Sequence, residues 1–160
     1  MDEKYEKVKR IFPDYFKLFT IPEGAKEEKI VVYRACKTGK CDNISFTPSF
    51  EEKGCVFLKG EDPKNPSLYS LSTYEKPKDV KRFAHMNSDF QVPYVIAKGV
   101  TEPQYGLVQR TKERDPLYKR SSHVDWWLYK DATPYEAFQI IEDFDEYLKK
   151  YNSNGDKGNE

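Results

Sequence analysis

His123 and Asp125 stand two residues apart in the run His123-Val124-Asp125-Trp126-Trp127-Leu128-Tyr129. In an extended strand alternate side chains share a face, so an imidazole, a carboxylate and the amphipathic rings of Trp127 and Tyr129 would line one side. Val124, Trp126 and Leu128 would make a wholly apolar other side. Imidazole exchanges protons near neutral pH, and a fixed, partly dehydrated carboxylate stabilises positive charge as it develops. The row therefore reads as the wall of a polar cleft, with His123 and Asp125 as candidate catalytic groups and Trp127 and Tyr129 as rings for stacking. The same rings would also serve simply to cover a second apolar layer.

Two further polar spots accompany it. Arg34 lies near the end of the apolar run Lys29-Ile30-Val31-Val32-Tyr33-Arg34-Ala35-Cys36, and its guanidinium fork suits a phosphate. Ser70, Ser72 and Thr73 lie in Leu68-Tyr69-Ser70-Leu71-Ser72-Thr73-Tyr74, where hydroxyls can meet a sugar. Taken singly, such an arginine is a surface ion-pair partner and such serines are turn chemistry.

Their order carries more than each alone. An arginine on a first core strand, a strand with Ser-x-Ser-Thr running into a helix, and a late strand with polar residues at i and i+2 resemble the ADP-ribosyltransferase fold family. The resemblance covers about residues 29 to 130. It implies that NAD binds as a substrate, that Arg34 holds its phosphates and that Ser70, Ser72 or Thr73 supports the ribose. Trp127 and Tyr129 would stack on its rings. The third motif of that family is a Glu-x-Glu pair whose last carboxylate steadies the oxocarbenium-like transition state, and His123 and Asp125 occupy the matching positions. Aspartate is one methylene shorter than the expected glutamate, and Tyr74 follows Ser72-Thr73 where the family has a further serine. The expected function is transfer of ADP-ribose to a macromolecule such as a protein acceptor, or cleavage of NAD. The alternative is a non-catalytic interaction module whose aromatic surface around Trp126 or Trp127 docks a protein partner.

The elements that must position these groups are partly legible. Tyr5, Val8 and Ile11 at helical spacing predict a helix over residues 2–11, ended by Pro13. Strands are expected over residues 29–36, 68–74, 93–100, 106–109 and 123–129, with a short extended piece at 44–47. Pro77-Lys78-Asp79 opens a helix in which Val80, Phe83 and Ala84 share a face. Residues 110–120 carry Arg110, Lys112, Arg114, Lys119 and Arg120 against Glu113 and Asp115, and read as a solvated loop or as a flap over an anionic ligand. Thr133 with Glu136, and Pro134 between them, predict a final helix with the stripe Phe138, Ile141, Phe144 and Leu148. This order implies one α+β domain over residues 1–151, with a mixed or antiparallel sheet carrying N-terminal, middle and C-terminal helices. Residues 152–160 form a polar tail expected to be disordered.

The totals narrow the functional classes. A chain of 160 residues suits one domain. Lys plus Arg and Asp plus Glu are 27 each, so zero net charge argues against a general attraction to nucleic acid or anionic membranes. Neither a membrane-spanning run nor the layout of a secretory signal is apparent, which gives a cytoplasmic expectation. Cys36, Cys41 and Cys55 lack the fourth ligand of the common zinc patterns, so no metal is expected. The Gly-rich turn of a doubly wound nucleotide fold and the Walker lysine are missing.

Overall fold

The computed structural model describes residues 10–87, 94–119 and 122–155. The helix expected over residues 2–11 falls almost wholly outside this range, as do residues 156–160 of the expected tail. Six strands form one antiparallel sheet in the order β4-β5-β2-β1-β3-β6. These are β1 (Val31–Cys36), β2 (Leu71–Tyr74), β3 (Val95–Val100), β4 (Gly106–Arg110), β5 (His123–Leu128) and β6 (Phe138–Ile140). Three α-helices accompany them: α1 (Ser49–Glu52), α2 (Pro77–Asn87) and α3 (Phe144–Lys150). The single-domain α+β fold expected from the sequence is thus present, with every strand pair antiparallel.

The sheet has a seam at its centre. β1 and β3 pair along their whole length from Val31↔Val100 to Cys36↔Val95, and β2 and β5 pair from Leu71↔Trp126 to Tyr74↔His123. Between β1 and β2 the register comprises only Tyr33↔Tyr74. Backbone groups along such a seam need other partners. Arg34 supplies one, its Nη1 donating to the Ser72 carbonyl oxygen at 2.9 Å.

Side-chain alternation then sorts the two faces. One face buries Val32, Cys36, Leu71, Val108, Val124 and Trp126 against Phe46 and Phe138. The other has two apolar patches. Tyr33, Ala35, Tyr74 and Ile96 pack under Val80 and Ala84 of α2 and beside Phe144 and Tyr147 of α3. Farther along, Trp127 packs with Phe19, Phe50 and Tyr69. Each of these large side chains contributes on the order of 1.5–3 kcal/mol by leaving water. Between the two patches, on the same face, lie Ser72, His123 and Asp125.

The C-terminal segment departs from the expected single helix. Pro134–Ala137 forms one 3-10 turn whose Thr133 side chain makes no capping bond, and Phe138–Ile140 then extends as edge strand β6. The open edge of β3 offers backbone partners that outweigh local helix preference. The true helix start is Asp143, whose side chain accepts from Glu146 N–H at 3.1 Å. Tyr151–Gly155 continues it as a π-helical turn, which takes in residues 152–155 of the expected tail. Two smaller departures concern extended pieces: Ile44–Thr47 is turn rather than strand, and residues 66–69 form a 3-10 turn ahead of β2.

Candidate functional site

Asp125 is fully buried and saturated with partners. Its Oδ1 accepts from Ser70 Oγ at 2.6 Å and Ser67 Oγ at 3.0 Å, and its Oδ2 from Thr111 Oγ1 at 2.8 Å. Arg114 Nη2 completes the set at 2.9 Å from Oδ2. The same guanidinium donates to Gln109 Oε1 and Ser67 Oγ and lies over the Trp127 ring, its Cζ 5.6 Å from the centroid. A buried carboxylate needs such company, because charge unpaired inside a fold is costly.

Thr111 connects this carboxylate to His123. A hydroxyl has one proton, and that of Thr111 goes to Asp125. The 2.6 Å contact between Thr111 Oγ1 and His123 Nδ1 is then a bond donated by Nδ1–H. In its neutral form the imidazole is then left with Nε2 as acceptor, and Ser72 Oγ lies 2.9 Å away to donate to it. This assignment follows from the network rather than from visible hydrogens. The result is a relay that runs from Asp125 through Thr111 and His123 to Ser72.

Ser72 opens the relay onto a cleft of about 540 Å³, within the usual range of small-molecule sites. Tyr74, Phe83 and Tyr118 supply aromatic lining, while Asn87, Asp115 and Lys119 add polar groups. Leu117, 89 % exposed, stands at its lip. Tyr74 and Tyr118 also flank His123, with ring centroids 5.2 and 5.1 Å from the imidazole.

The residues singled out in the sequence are thus divided by the fold. Ser70, Ser72, His123 and Asp125 come together on one face. Arg34 leaves β1 from the opposite face and is enclosed, with Nε donating to Ser45 O at 3.0 Å and its Cζ 6.0 Å from the Phe46 centroid. Burial pulls its pKa down from the ordinary arginine value. Its link to the site is the bond to Ser72 O, so it braces β2. Thr73 also points away and donates to Val124 O at 3.1 Å.

Trp126 and Trp127 are both completely buried, which removes them from any docking surface. Trp127 Nε1 donates to Pro66 O at 2.9 Å. Tyr129 lines a second cavity of about 360 Å³ with Tyr15, Phe16 and Tyr69, rather than the Ser72 cleft. Its hydroxyl donates to Glu27 Oε2 at 2.7 Å, and burial together with that carboxylate raises its pKa.

Several members of the site carried no readable signal in the sequence. Thr111 and Arg114 sit in the basic stretch after β4, where they anchor Asp125, and Asp115, Tyr118 and Lys119 follow them into the cleft. Arg110 in that stretch is held by Glu75, at 2.9 Å from Nε to Oε1. Through residue 119 the stretch packs onto the site. Its excess of basic residues was the available clue, and their pairing with Asp125 and Glu75 shows why charge alone pointed only to solvent or a flap.

Among the described residues no group of three His, Cys, Asp or Glu side chains is placed to hold a metal, and no helix is long and apolar enough to cross a membrane. Fold and site together define a single-domain α+β protein with a serine, a histidine and a buried carboxylate aligned beneath an aromatic cleft. No family model matches this chain, nor does any curated protein or solved structure.

Proposed function

We propose that the chain binds NAD in the cleft above Ser72 and His123 and cleaves its nicotinamide–ribose bond, passing ADP-ribose to water or to a protein acceptor. The observation that carries this reading is the strand order. The three segments that resemble the ADP-ribosyltransferase motifs are the adjacent central strands β1, β2 and β5, and Ser72, His123 and Asp125 form one chain of hydrogen bonds through Thr111 beneath the cleft, with Arg34 on the opposite face.

Roles in this reading follow exposure rather than motif position. Tyr74 and Tyr118 stack on the planar base, Ser72 meets the ribose, and Lys119, exposed at the rim, faces the phosphates. Asp115 is the carboxylate open to the cleft and stands beside the positive charge that develops on the ribose. Asp125 acts at one remove by fixing the His123 tautomer, and the proton that the acceptor loses passes by way of Ser72 Oγ to His123 Nε2. The bond from ribose C1′ to nicotinamide breaks with its electron pair leaving on nicotinamide, and the bond from C1′ to the acceptor oxygen forms.

Release of nicotinamide from NAD by the purified protein tests the reading. Asp115→Ala and His123→Ala are each expected to lower the rate by at least about 100-fold while the protein still melts cooperatively. Undiminished release in both variants would overturn it.

A further inference from the structure

We propose that Ser72 is itself a nucleophile, activated by His123, and that the cleft therefore also turns over small aryl esters. The inference does not rest on which nucleotide the cleft accepts. Three observations carry it. Ser72 Oγ lies 2.9 Å from His123 Nε2, and in the neutral imidazole the tautomer fixed by Thr111 leaves that nitrogen as a proton acceptor. His123 is held by Asp125 through Thr111, with Nδ1 at 4.0 Å from Oδ1, and the carboxylate is wholly buried and paired with Arg114. Ser72 is also the one member of the relay that lines the cleft, where Tyr74, Phe83 and Tyr118 can hold a flat leaving group.

A nucleophilic hydroxyl needs an adjacent base and a third group that orients the base, and it must face the substrate. Here the third group acts through an inserted threonine hydroxyl, which replaces direct contact between carboxylate and imidazole. A serine held only for structure has no need of an oriented imidazole on its open side. On this strand the neighbouring hydroxyl of Thr73 satisfies a backbone carbonyl, whereas Ser72 Oγ is directed to the histidine.

The step balances without any co-reactant but water. Ser72 Oγ bonds to the ester carbonyl carbon as its proton passes to His123 Nε2, and the bond to the aryl oxygen breaks. The phenol leaves with the proton from Nε2. Water then adds to the acylated serine, giving one proton to Nε2, and Ser72 Oγ departs with that proton as the carboxylic acid is released. With a fluorophosphonate the phosphorus–fluorine bond breaks instead, fluoride leaves, and the phosphonylated serine persists.

The test is covalent labelling of the intact wild-type protein with a fluorophosphonate, located by peptide mass spectrometry, together with p-nitrophenyl acetate hydrolysis. The label is expected on Ser72, and hydrolysis is expected to fall by at least about 100-fold in both Ser72→Ala and His123→Ala. Ser72→Cys is expected to regain acylation by p-nitrophenyl acetate, which a purely structural serine would not do. No label on wild-type Ser72, or hydrolysis unchanged in folded Ser72→Ala, overturns the proposal. The wild-type labelling stands even where a variant fails to fold.

Discussion

Ser72 Oγ and His123 Nε2 lie 2.9 Å apart across the β2–β5 pair, on the face of the sheet that opens into the aromatic cleft. The two residues are diagonal neighbours, since Ser72 is in register with Asp125 and His123 with Tyr74. A single serine thus receives Arg34 at its carbonyl, from inside the sheet, and offers its hydroxyl to the imidazole on the cleft side.

Thr111→Val separates the relay from its scaffold, because valine keeps the shape and loses the hydroxyl. His123 Nδ1–H would lose its acceptor and Asp125 one of its donors. Stability should fall by about 1–3 kcal/mol, the cost of leaving buried polar groups unmade. Nicotinamide release and ester hydrolysis should each fall by at least about tenfold, since the imidazole tautomer is no longer fixed. Denaturant melts and rate measurements at neutral pH check both, and rates equal to wild type would show that Thr111 plays no part in orienting His123.

Asp125→Ala removes the centre of the buried network and leaves Arg114 without its carboxylate. Breaking one partner of a buried ion pair costs about 3–5 kcal/mol. Arg114→Ala should cost less, because that side chain retains some exposure, 22 %, and Asp125 keeps three hydroxyl donors. The two losses share one interaction, so the double variant should lose less than the sum of the singles. Urea melts of the four proteins measure this, and strict additivity would contradict the described pairing.

Arg34→Lys addresses the arginine that the sequence assigned to phosphate. The lysine cannot reproduce the fork that reaches Ser45 O and Ser72 O together. The expected outcome is a stability loss of about 1–3 kcal/mol with NAD affinity kept in the fraction that remains folded. Melting curves and calorimetry on the same samples decide it. Full stability with lost affinity would return Arg34 to the phosphates.

Gly99 and Gly106 are sites of close approach rather than of unusual backbone. A Cβ at 99 would stand 2.4 Å from Ala137 O and from the Phe138 ring, and one at 106 would stand 2.2 Å from Trp127 O. Either alanine should cost about 1–3 kcal/mol through forced displacement of neighbouring backbone. Gly39→Ala meets no atom within 4 Å but sits at φ +84°, so its cost is conformational. Thermal melts of the three variants compare these causes.

Cys36 gives the pH dependence. Burial pushes its thiol up to about 12, so the folded state prefers the protonated form. An unfolded thiol ionises from about pH 8.5. The stabilising contribution is therefore complete below that value and is lost as pH rises from there towards about 12. The stability gap between wild type and Cys36→Ala should narrow between pH 8 and 10 in urea titrations. Alkylation at pH 8 should modify exposed Cys55 first and reach Cys36 only on unfolding.

The central strands were legible because their side chains alternate in character. In β5 the apolar Val124, Trp126 and Leu128 did take one face, and His123, Asp125 and Trp127 the other. Helix α2 was legible from Pro77 and the spacing of Val80, Phe83 and Ala84. Edge strand β6 was not, because Phe138-Gln139-Ile140 is too short for a period and its partner β3 is remote in sequence. Nor could the sequence reveal that Arg34 inserts at the seam, since strand parity fixes its face only once the β1–β2 register is known. Thr111 and Arg114 escaped for a related reason. Their partner Asp125 lies across the turn from β4 into β5, and nothing local marks a threonine that bridges a carboxylate and an imidazole.

Calorimetric titration of NAD into the folded protein tests the account of the cleft most directly. The expected result is saturable one-site binding with Kd below about 1 mM, weakened at least about tenfold by Tyr118→Ala at unchanged melting temperature, as loss of one stacking ring requires. Wild-type protein that melts cooperatively and yet shows no binding heat and no displacement of a fluorescent NAD analogue at millimolar NAD would contradict it.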